Sequence, residues 1–399
     1  MLTKFLARFS RVTSSGRVIP EIDGLRFVAI WSVVIFHLSF FVSRQLTRSS
    51  VRAMDTAWFA HILQFGRWGV ELFFVISGFV IALPFASHYL KGTPRVELNR
   101  YYIRRVTRIA PPYLLIMLAL YFWFTLHGHS AQSLFPHLVA SLLYVHGLVF
   151  GEASVINPVA WTLEIEIQFY LLMPAFAFLF AVRRKRLRRL ILVSLAAGFA
   201  SCQMLFFPEK GMLSVTVANY FQYFLMGFLL VDIYLSEWDE VHARYWRWDV
   251  VVFGGLALLF FGLDKLPMLH PIMLPFIILL FCYAVFRSIL VNQILTSSSV
   301  VTVGGMCYSI YLIHLQLIQD FLPKTFFVAS QSSFSVNLLV QFLIIGPILI
   351  VTSAIYFAFV ERPCMYKDWP RQVIQGVSAL QFIWSKGDSG RPREDGKER

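Results

Sequence analysis

The sequence predicts an all-α polytopic membrane protein with about ten transmembrane helices and one further re-entrant or interfacial helix near residues 134–149. Three observations predict it. The 399 residues are 58% hydrophobic and 17% aromatic but only 14% charged, and the mean hydropathy is +0.66, far from the composition of a soluble domain. Apolar runs approaching the ~20 residues that cross a hydrocarbon layer recur at roughly 25–43, 67–87, 111–127, 159–182, 190–207, 215–235, 250–264, 271–287, 300–322 and 336–360. The charges between these runs are lopsided. With both termini on one side, that side receives the basic stretches 91–108 and 183–189 and both tails, and the other receives only Arg44, Arg48, Arg52, Arg67, Lys210, Lys265 and Lys324. By the positive-inside rule the basic side, and with it both termini, is cytoplasmic. Arg44, Arg48 and Arg52 run against that trend.

Composition also sets aside other classes. A net charge of +13 would suit a nucleic-acid binder, but its placement at span ends argues for membrane topology instead. Cys202, Cys282, Cys307 and Cys364 lie in or beside spans without paired spacing, so neither a disulfide framework nor a zinc site is expected. Residues 1–20 form a basic cytoplasmic N-terminus with no removable signal peptide, because no apolar stretch leads to a small-residue cleavage site. Residues 21–363 form the membrane domain. Residues 364–399 form a polar cytoplasmic tail, with a short apolar patch at 373–384 suited to the membrane surface and a Gly-, Lys- and Arg-rich end expected to be disordered. No soluble catalytic domain is expected.

In chain order, the first informative stretch is Glu21-Ile-Asp-Gly-Leu-Arg-Phe-Val-Ala-Ile-Trp-Ser-Val-Val-Ile-Phe-His-Leu38. Arg26 opens the run and His37 lies eleven residues on, roughly 16 Å deeper along a helix. An ionisable residue at that depth reads as functional by default, and the plainer alternative is a histidine bonded to a neighbouring helix. The return run Gly69-Val-Glu-Leu-Phe-Phe-Val-Ile-Ser-Gly-Phe79 brings Glu71 in from the outer side, where its level is expected to match that of His37. Ser77 and Gly78 in that run read first as close-packing residues.

The loop from Lys91 to Tyr113 is the densest basic signal. On a helix over 99–109, Arg104 and Arg108 share a face with Arg105 beside them, a patch suited to gripping phosphate. Positive-inside anchoring is the plainer reading. Pro111 and Pro112 are expected to end that helix and begin the third span. Residues 128–158 resist a simple crossing, because a full span there would put Arg183 to Arg189 outside; a re-entrant or interfacial piece follows.

Next comes Asn157-Pro-Val-Ala-Trp-Thr-Leu-Glu-Ile-Glu-Ile-Gln-Phe-Tyr170. Glu164 and Glu166 point in opposed directions on a helix, and Glu166 shares a side with Tyr170. Entering from outside, Glu166 is expected in the outer half. Residues 190–298 read as scaffold or as walls of an acceptor cleft, with Trp246 and Trp248 as interface anchors. The stretch Gly304-Gly-Met-Cys-Tyr-Ser-Ile-Tyr-Leu-Ile-His-Leu315 places His314 beyond the midplane, and the last span ends at Glu361-Arg-Pro363.

Depth therefore sorts the polar residues into two groups: His37, Glu71, Glu166 and His314 outward, and Arg26, Arg104, Arg105 and Arg108 inward. One chemistry that fits is acyl transfer, with a phosphate-bearing thioester donor held by arginine and a His–carboxylate pair taking the proton of a hydroxyl. A proton-coupled transporter, using the same buried His and Glu as a relay, fits the residues equally well. A non-catalytic membrane assembly subunit is a third class.

The residues resemble the acyltransferase-3 family of integral-membrane O-acyltransferases. Arg26 and His37 match its Arg-x10-His signature, and Gly69 to Phe79 its second-helix motif. Arg104-Arg-Val-Thr-Arg108 matches its Arg-Arg-x-x-Arg motif. Trp161-Thr-Leu-Glu-Ile-Glu166 with Gln168-Phe-Tyr170 resembles its Trp-Ser-Leu-x-Val-Glu region, and Tyr308 to His314 and Glu361-Arg-Pro363 its closing motifs. The resemblance implies a bacterial inner-membrane enzyme moving an acetyl or other short acyl group from cytoplasmic acyl-coenzyme A to a hydroxyl of a glycan, a lipid-linked sugar or a natural product. Acetyl-CoA would be a donor substrate, with no tightly bound cofactor, no metal and no nucleic acid. It also implies His37 as the base, Glu166 or Glu71 in support, and Arg26, Arg104, Arg105 and Arg108 on the donor's phosphates. Trp161, Tyr170, Tyr311 and His314 would give substrate contact or structural support. Two positions depart from the pattern: Thr162 replaces the usual Ser, and Ile167 stands where many members have a second Glu. No counterpart of the SGNH-type hydrolase domain that many members carry is read in these residues.

Overall fold

The computed structural model describes residues 18–48, 62–206, 212–238, 243–261, 269–329, 332–366 and Trp369. Among them every regular element is helical. In chain order these are α1 (Pro20–Arg48), α2 (Gly69–Lys91), α3 (Leu98–Leu126), α4 (Ala131–Leu142), α5 (His146–Phe150), α6 (Trp161–Phe176), α7 (Lys185–Phe206) and α8 (Val217–Glu237). There follow α9 (Trp246–Phe261), α10 (His270–Arg287), α11 (Leu290–Leu295), α12 (Ser298–Gly305), α13 (Cys307–Thr325), α14 (Phe334–Tyr356) and α15 (Arg362–Cys364). Arg52, the tail patch at 373–384 and the residues after it, and the side chain of Arg48 lie outside what is described.

The chain is an integral membrane protein. Among the described residues eight helices, α1, α2, α3, α6, α7, α8, α10 and α14 with their flanking turns, are long and apolar enough to cross a bilayer, and the bent pair α12–α13, turning by 69°, makes a ninth if its two pieces count as one broken span. Nine of the ten expected spans have a counterpart here. The tenth, at 250–264, is represented by α9, whose 16 described residues stop short of the ~20 needed. The 134–149 segment folds as α4 and α5 joined by a tight turn. Its longer piece, α4, has 12 residues, too few to cross.

One expectation is corrected. Pro111 and Pro112 do not divide a helix from a span; α3 runs through both without a break. Each proline removes a backbone donor, and tyrosine hydroxyls from other helices engage carbonyls beside the pair. Tyr308 donates to the Ile109 carbonyl at 2.9 Å and Tyr356 to the Pro112 carbonyl at 2.5 Å. These hydroxyls pin α3 to α13 and α14 beside the proline pair; the carbonyls that the prolines leave without an amide donor are those four residues back, of Thr107 and Arg108.

The core has two parts and α1 is the seam between them. Ile22, Leu25 and Ala29 pack into an aromatic-rich cluster with α2, α6, α8 and α10. Ile30, Val34, Leu38, Val42 and Leu46, at four-residue spacing, pack into a second cluster with α3, α4, α13 and α14. Within the first cluster, α2 and α8 cross where both carry glycine. A Cβ on Gly227 would overlap the Val75 carbonyl oxygen, and one on Gly78 the Phe224 carbonyl oxygen. Gly304 at the end of α12 lets that backbone lie against the Asp23 carbonyl, which fixes the start of α13 beside the start of α1.

Candidate active site

On a helix of 3.6 residues per turn, eleven residues make about three turns. Arg26 and His37 therefore project from one face of α1, roughly 16 Å apart along it. Arg26 Nη1 donates to Asp23 Oδ1 at 2.6 Å, and the Arg26 side chain is largely buried. Around Arg26, within electrostatic reach, lie Cys307, Arg108, Glu166 and Tyr170. Arg108 also reaches Asp23 and Glu361.

The α3 arginines diverge. Arg104 is exposed and turns its Nε to the Arg100 carbonyl at 3.0 Å. Arg105 turns inward, with its guanidinium 4.2 Å from the ring centre of Tyr101 and 5.7 Å from that of Tyr170. Its Nε is buried with no partner, a donor left open inside the protein, and such a donor is costly unless something accepts from it. The Tyr101 hydroxyl donates to the Tyr170 carbonyl at 3.2 Å, locking α3 to α6.

Glu166 belongs to this level and not to that of His37. Its Oε1 accepts from Ser77 at 2.9 Å and from the Tyr170 hydroxyl. The outer-half expectation assumed that α6 starts at the membrane surface. Instead its first turn already lies at the depth of Tyr311, whose hydroxyl meets Thr162 Oγ1 at 2.5 Å and donates to the Val159 carbonyl. Glu166 lies a further turn along α6, beside the arginines.

At the other level, the partner of His37 is a second imidazole. His37 Nδ1 lies 3.2 Å from Nε2 of His314, with ring centres 5.1 Å apart. His314 is fully buried, and its Nδ1 lies 2.8 Å from the Tyr311 carbonyl and 3.2 Å from that of Ile310. His37 is half-buried, and among the described residues no carboxylate is hydrogen-bonded to it. Glu71 lies two residues past Gly69, which packs on the Ala29 carbonyl, so its level falls between those of Arg26 and His37. Its Oε2 is buried without a partner, with Arg67, Tyr220 and Tyr223 around it. Trp161 stacks at a tilt on Tyr220, 5.4 Å between ring centres.

Three residues at the Arg26 level were given no site role in the sequence reading. Asp23 pairs with Arg26; its signal was the three-residue spacing. Glu361 sits on a π-helical turn, Phe357–Glu361, that closes the last span, and accepts from the Ser309 amide at 3.1 Å and its hydroxyl at 2.5 Å. Such turns cluster at functional sites, and no residue pattern announces one. Ser77, first read as a packing residue, is the hydroxyl that anchors Glu166. Three guanidinium groups, of Arg26, Arg105 and Arg108, thus share this level with three carboxyl groups, of Asp23, Glu166 and Glu361, and Arg26 with Asp23 is a direct ion pair. Among the described residues no group of His, Cys, Asp or Glu is arranged to hold a metal ion.

Comparison with known proteins identifies a family. A family model described as an acyltransferase domain matches residues 19–358. The chain is 28% identical over 198 residues to the peptidoglycan O-acetyltransferase OatA of Listeria monocytogenes, covering 47% of this chain and 28% of that protein. It is 30% identical over 184 residues to the O-acetyltransferase OatA of Staphylococcus aureus, covering 44% and 27%. It is 26% identical over 212 residues to the putative peptidoglycan O-acetyltransferase YrhL of Bacillus subtilis, covering 50% and 30%. The matched region is under a third of each relative's length. No solved structure matches.

Proposed function

The chain belongs to the acyltransferase family whose model spans residues 19–358, and on that basis we propose that it transfers an acetyl or other short acyl group from acyl-coenzyme A to a hydroxyl of a cell-surface glycan. The observation that carries the reading is the two-level face of α1, with Arg26 among arginines at one end and His37 against His314 about three turns away. The donor's phosphates would meet the exposed Arg104 at the rim and Arg105 and Arg108 inside. The buried, unpartnered Nε of Arg105 fits an anionic oxygen, since guanidinium groups bind such oxygens through directed hydrogen bonds. The basic ends of the spans support a cytoplasmic entrance by the positive-inside rule, and the extended pantetheine arm would bridge the gap to His37.

His37 takes the proton of the acceptor hydroxyl as its oxygen attacks the thioester carbon, a step suited to a histidine near neutral pH. The carbon–sulfur bond then breaks, leaving an ester and a free thiol. A glycan acceptor accords with relatives named for peptidoglycan acetylation. Proton-coupled transport is the weaker reading. Neither Glu71 nor Glu166 is bonded to His37, and His314 passes its Nδ1 to backbone carbonyls, so a proton relay would end there.

The test is transfer by the purified protein from labelled acetyl-coenzyme A to peptidoglycan fragments, or hydrolysis of the thioester without an acceptor. Parent activity with loss in His37→Ala is the expected result, and undiminished activity in His37→Ala rejects the assignment. Uptake into proteoliposomes with no covalently modified product would support the transporter instead.

A further inference from the structure

We infer that His314 is a positioning residue that holds His37 in the tautomer protonated on Nδ1, leaving His37 Nε2 bare as the proton acceptor. The tautomer follows from geometry alone; its catalytic consequence rests on the transferase reading above. Carbonyl oxygens only accept hydrogen bonds. His314 Nδ1, within 3.2 Å of two of them, therefore carries a hydrogen. A neutral imidazole has one N–H, and a fully buried His314 in an apolar helix bundle is neutral because burying an unpaired charge is costly. Its Nε2 is then a lone pair, and it faces His37 Nδ1 at 3.2 Å. A hydrogen bond across that contact needs one hydrogen, and only His37 Nδ1 can supply it.

The two rings thus have unequal tasks. His314 is sealed in, with both nitrogens engaged by protein. His37 is half-buried, and its Nε2 is the nitrogen left for an incoming hydroxyl. When that nitrogen takes the hydroxyl proton, the new imidazolium keeps its Nδ1–H on His314 Nε2, and the departing thiolate recovers the proton from Nε2. His314 therefore occupies the place that a carboxylate takes in many histidine bases, as a neutral acceptor that orients the ring without adding a negative charge to the bilayer interior. Without it the His37 hydrogen is free to sit on either nitrogen, and the tautomer with Nε2–H cannot accept.

Solid-state NMR of protein with ¹⁵N-labelled histidine reads the tautomer directly, and the signal missing from His37→Ala identifies His37. An Nδ1–H tautomer is expected; an Nε2–H tautomer overturns the inference whether or not the protein transfers acyl groups. Kinetics test the consequence. His314→Leu is expected to lose ~100-fold in kcat, with the donor KM within about twofold. His314→Gln, whose carbonyl oxygen can stand where Nε2 was, is expected to stay within about tenfold of the parent. An unimpaired Leu variant, or a Gln variant no better than Leu, overturns the positioning role. A parent protein without any transfer activity overturns the transferase reading instead, and the NMR result still decides the tautomer.

Discussion

Ser77 on α2 donates its hydroxyl to Oε1 of Glu166 on α6 at 2.9 Å, and Tyr170 donates to the same oxygen. With both bonds in place the carboxylate is held toward the arginines and away from His37. On the proposed transferase reading its task is to balance Arg26 and to fix the pocket wall, not to take a proton from the acceptor.

Glu166→Gln is therefore expected to keep kcat within about tenfold of the parent, because the amide oxygen still accepts from Ser77 and Tyr170. A general base would lose ~100-fold or more on that change. Steady-state kinetics with saturating donor and acceptor separate the two, and a base-like loss would move Glu166 into the chemistry.

Arg104 and Arg105 are neighbours in sequence and opposites in setting. Arg105→Ala removes a half-buried side chain whose Nε is a buried, open donor and is expected to raise the donor KM by ~10- to 100-fold, the scale of one charge-assisted hydrogen bond. Arg104→Ala removes an exposed side chain and is expected to cost about threefold or less, with an effect that fades as salt screens it. Binding of acetyl-coenzyme A across a salt series checks both; equal losses would mean that the two arginines grip the donor alike.

Much of this was legible in the residues. Hydropathy and charge found nine of the spans, and the eleven-residue gap between Arg26 and His37 encodes a shared helix face. The level of Glu166 was not legible, because counting inward from the surface assumes that a helix begins at the surface, and α6 begins inside, behind the folded-in pieces α4 and α5. The run of α3 through Pro111 and Pro112 was hidden because a proline pair reads locally as a helix boundary, while the contacts that pin α3 there come from Tyr308 and Tyr356, about 200 or more residues away. The meeting of His37 with His314 likewise spans 277 residues of sequence, and no local pattern reports a contact of that kind.

At the basic end of the bundle, Asp232 on α8 accepts from Arg188 and Arg189 on α7, each at 2.6 Å. The Asp232 side chain is fully buried and that of Arg188 is 4% exposed. Asp232→Ala leaves a buried guanidinium unpaired and is expected to destabilise by ~3–5 kcal/mol. Lys185, bound to Glu237 at 2.7 Å where both are open to solvent, should cost less than ~1 kcal/mol on change to Ala. Thermal unfolding in detergent compares them, and a small loss for Asp232→Ala would show that water reaches Arg188.

The α2–α8 crossing ties stability to the site. A methyl group at Gly227 would overlap the Val75 carbonyl oxygen and press on the Phe79 amide, and backbone atoms cannot swing aside as a side chain does. Gly227→Ala is therefore expected to push α2 off α8 at a cost of ~1–3 kcal/mol. Ser77 lies between Val75 and Phe79, so the same shift draws its hydroxyl from Glu166 and loosens the wall beside Arg105. The folded fraction of the variant is expected to show a raised donor KM as well as a lowered Tm. Gly254→Ala on α9, where an added Cβ meets nothing within 4 Å, is the control and should be neutral or stabilising by up to ~1 kcal/mol. Equal melting of the two variants would mean that the crossing has slack, and a lowered Tm with an unchanged KM would mean that Ser77 does not transmit the crossing to the donor pocket.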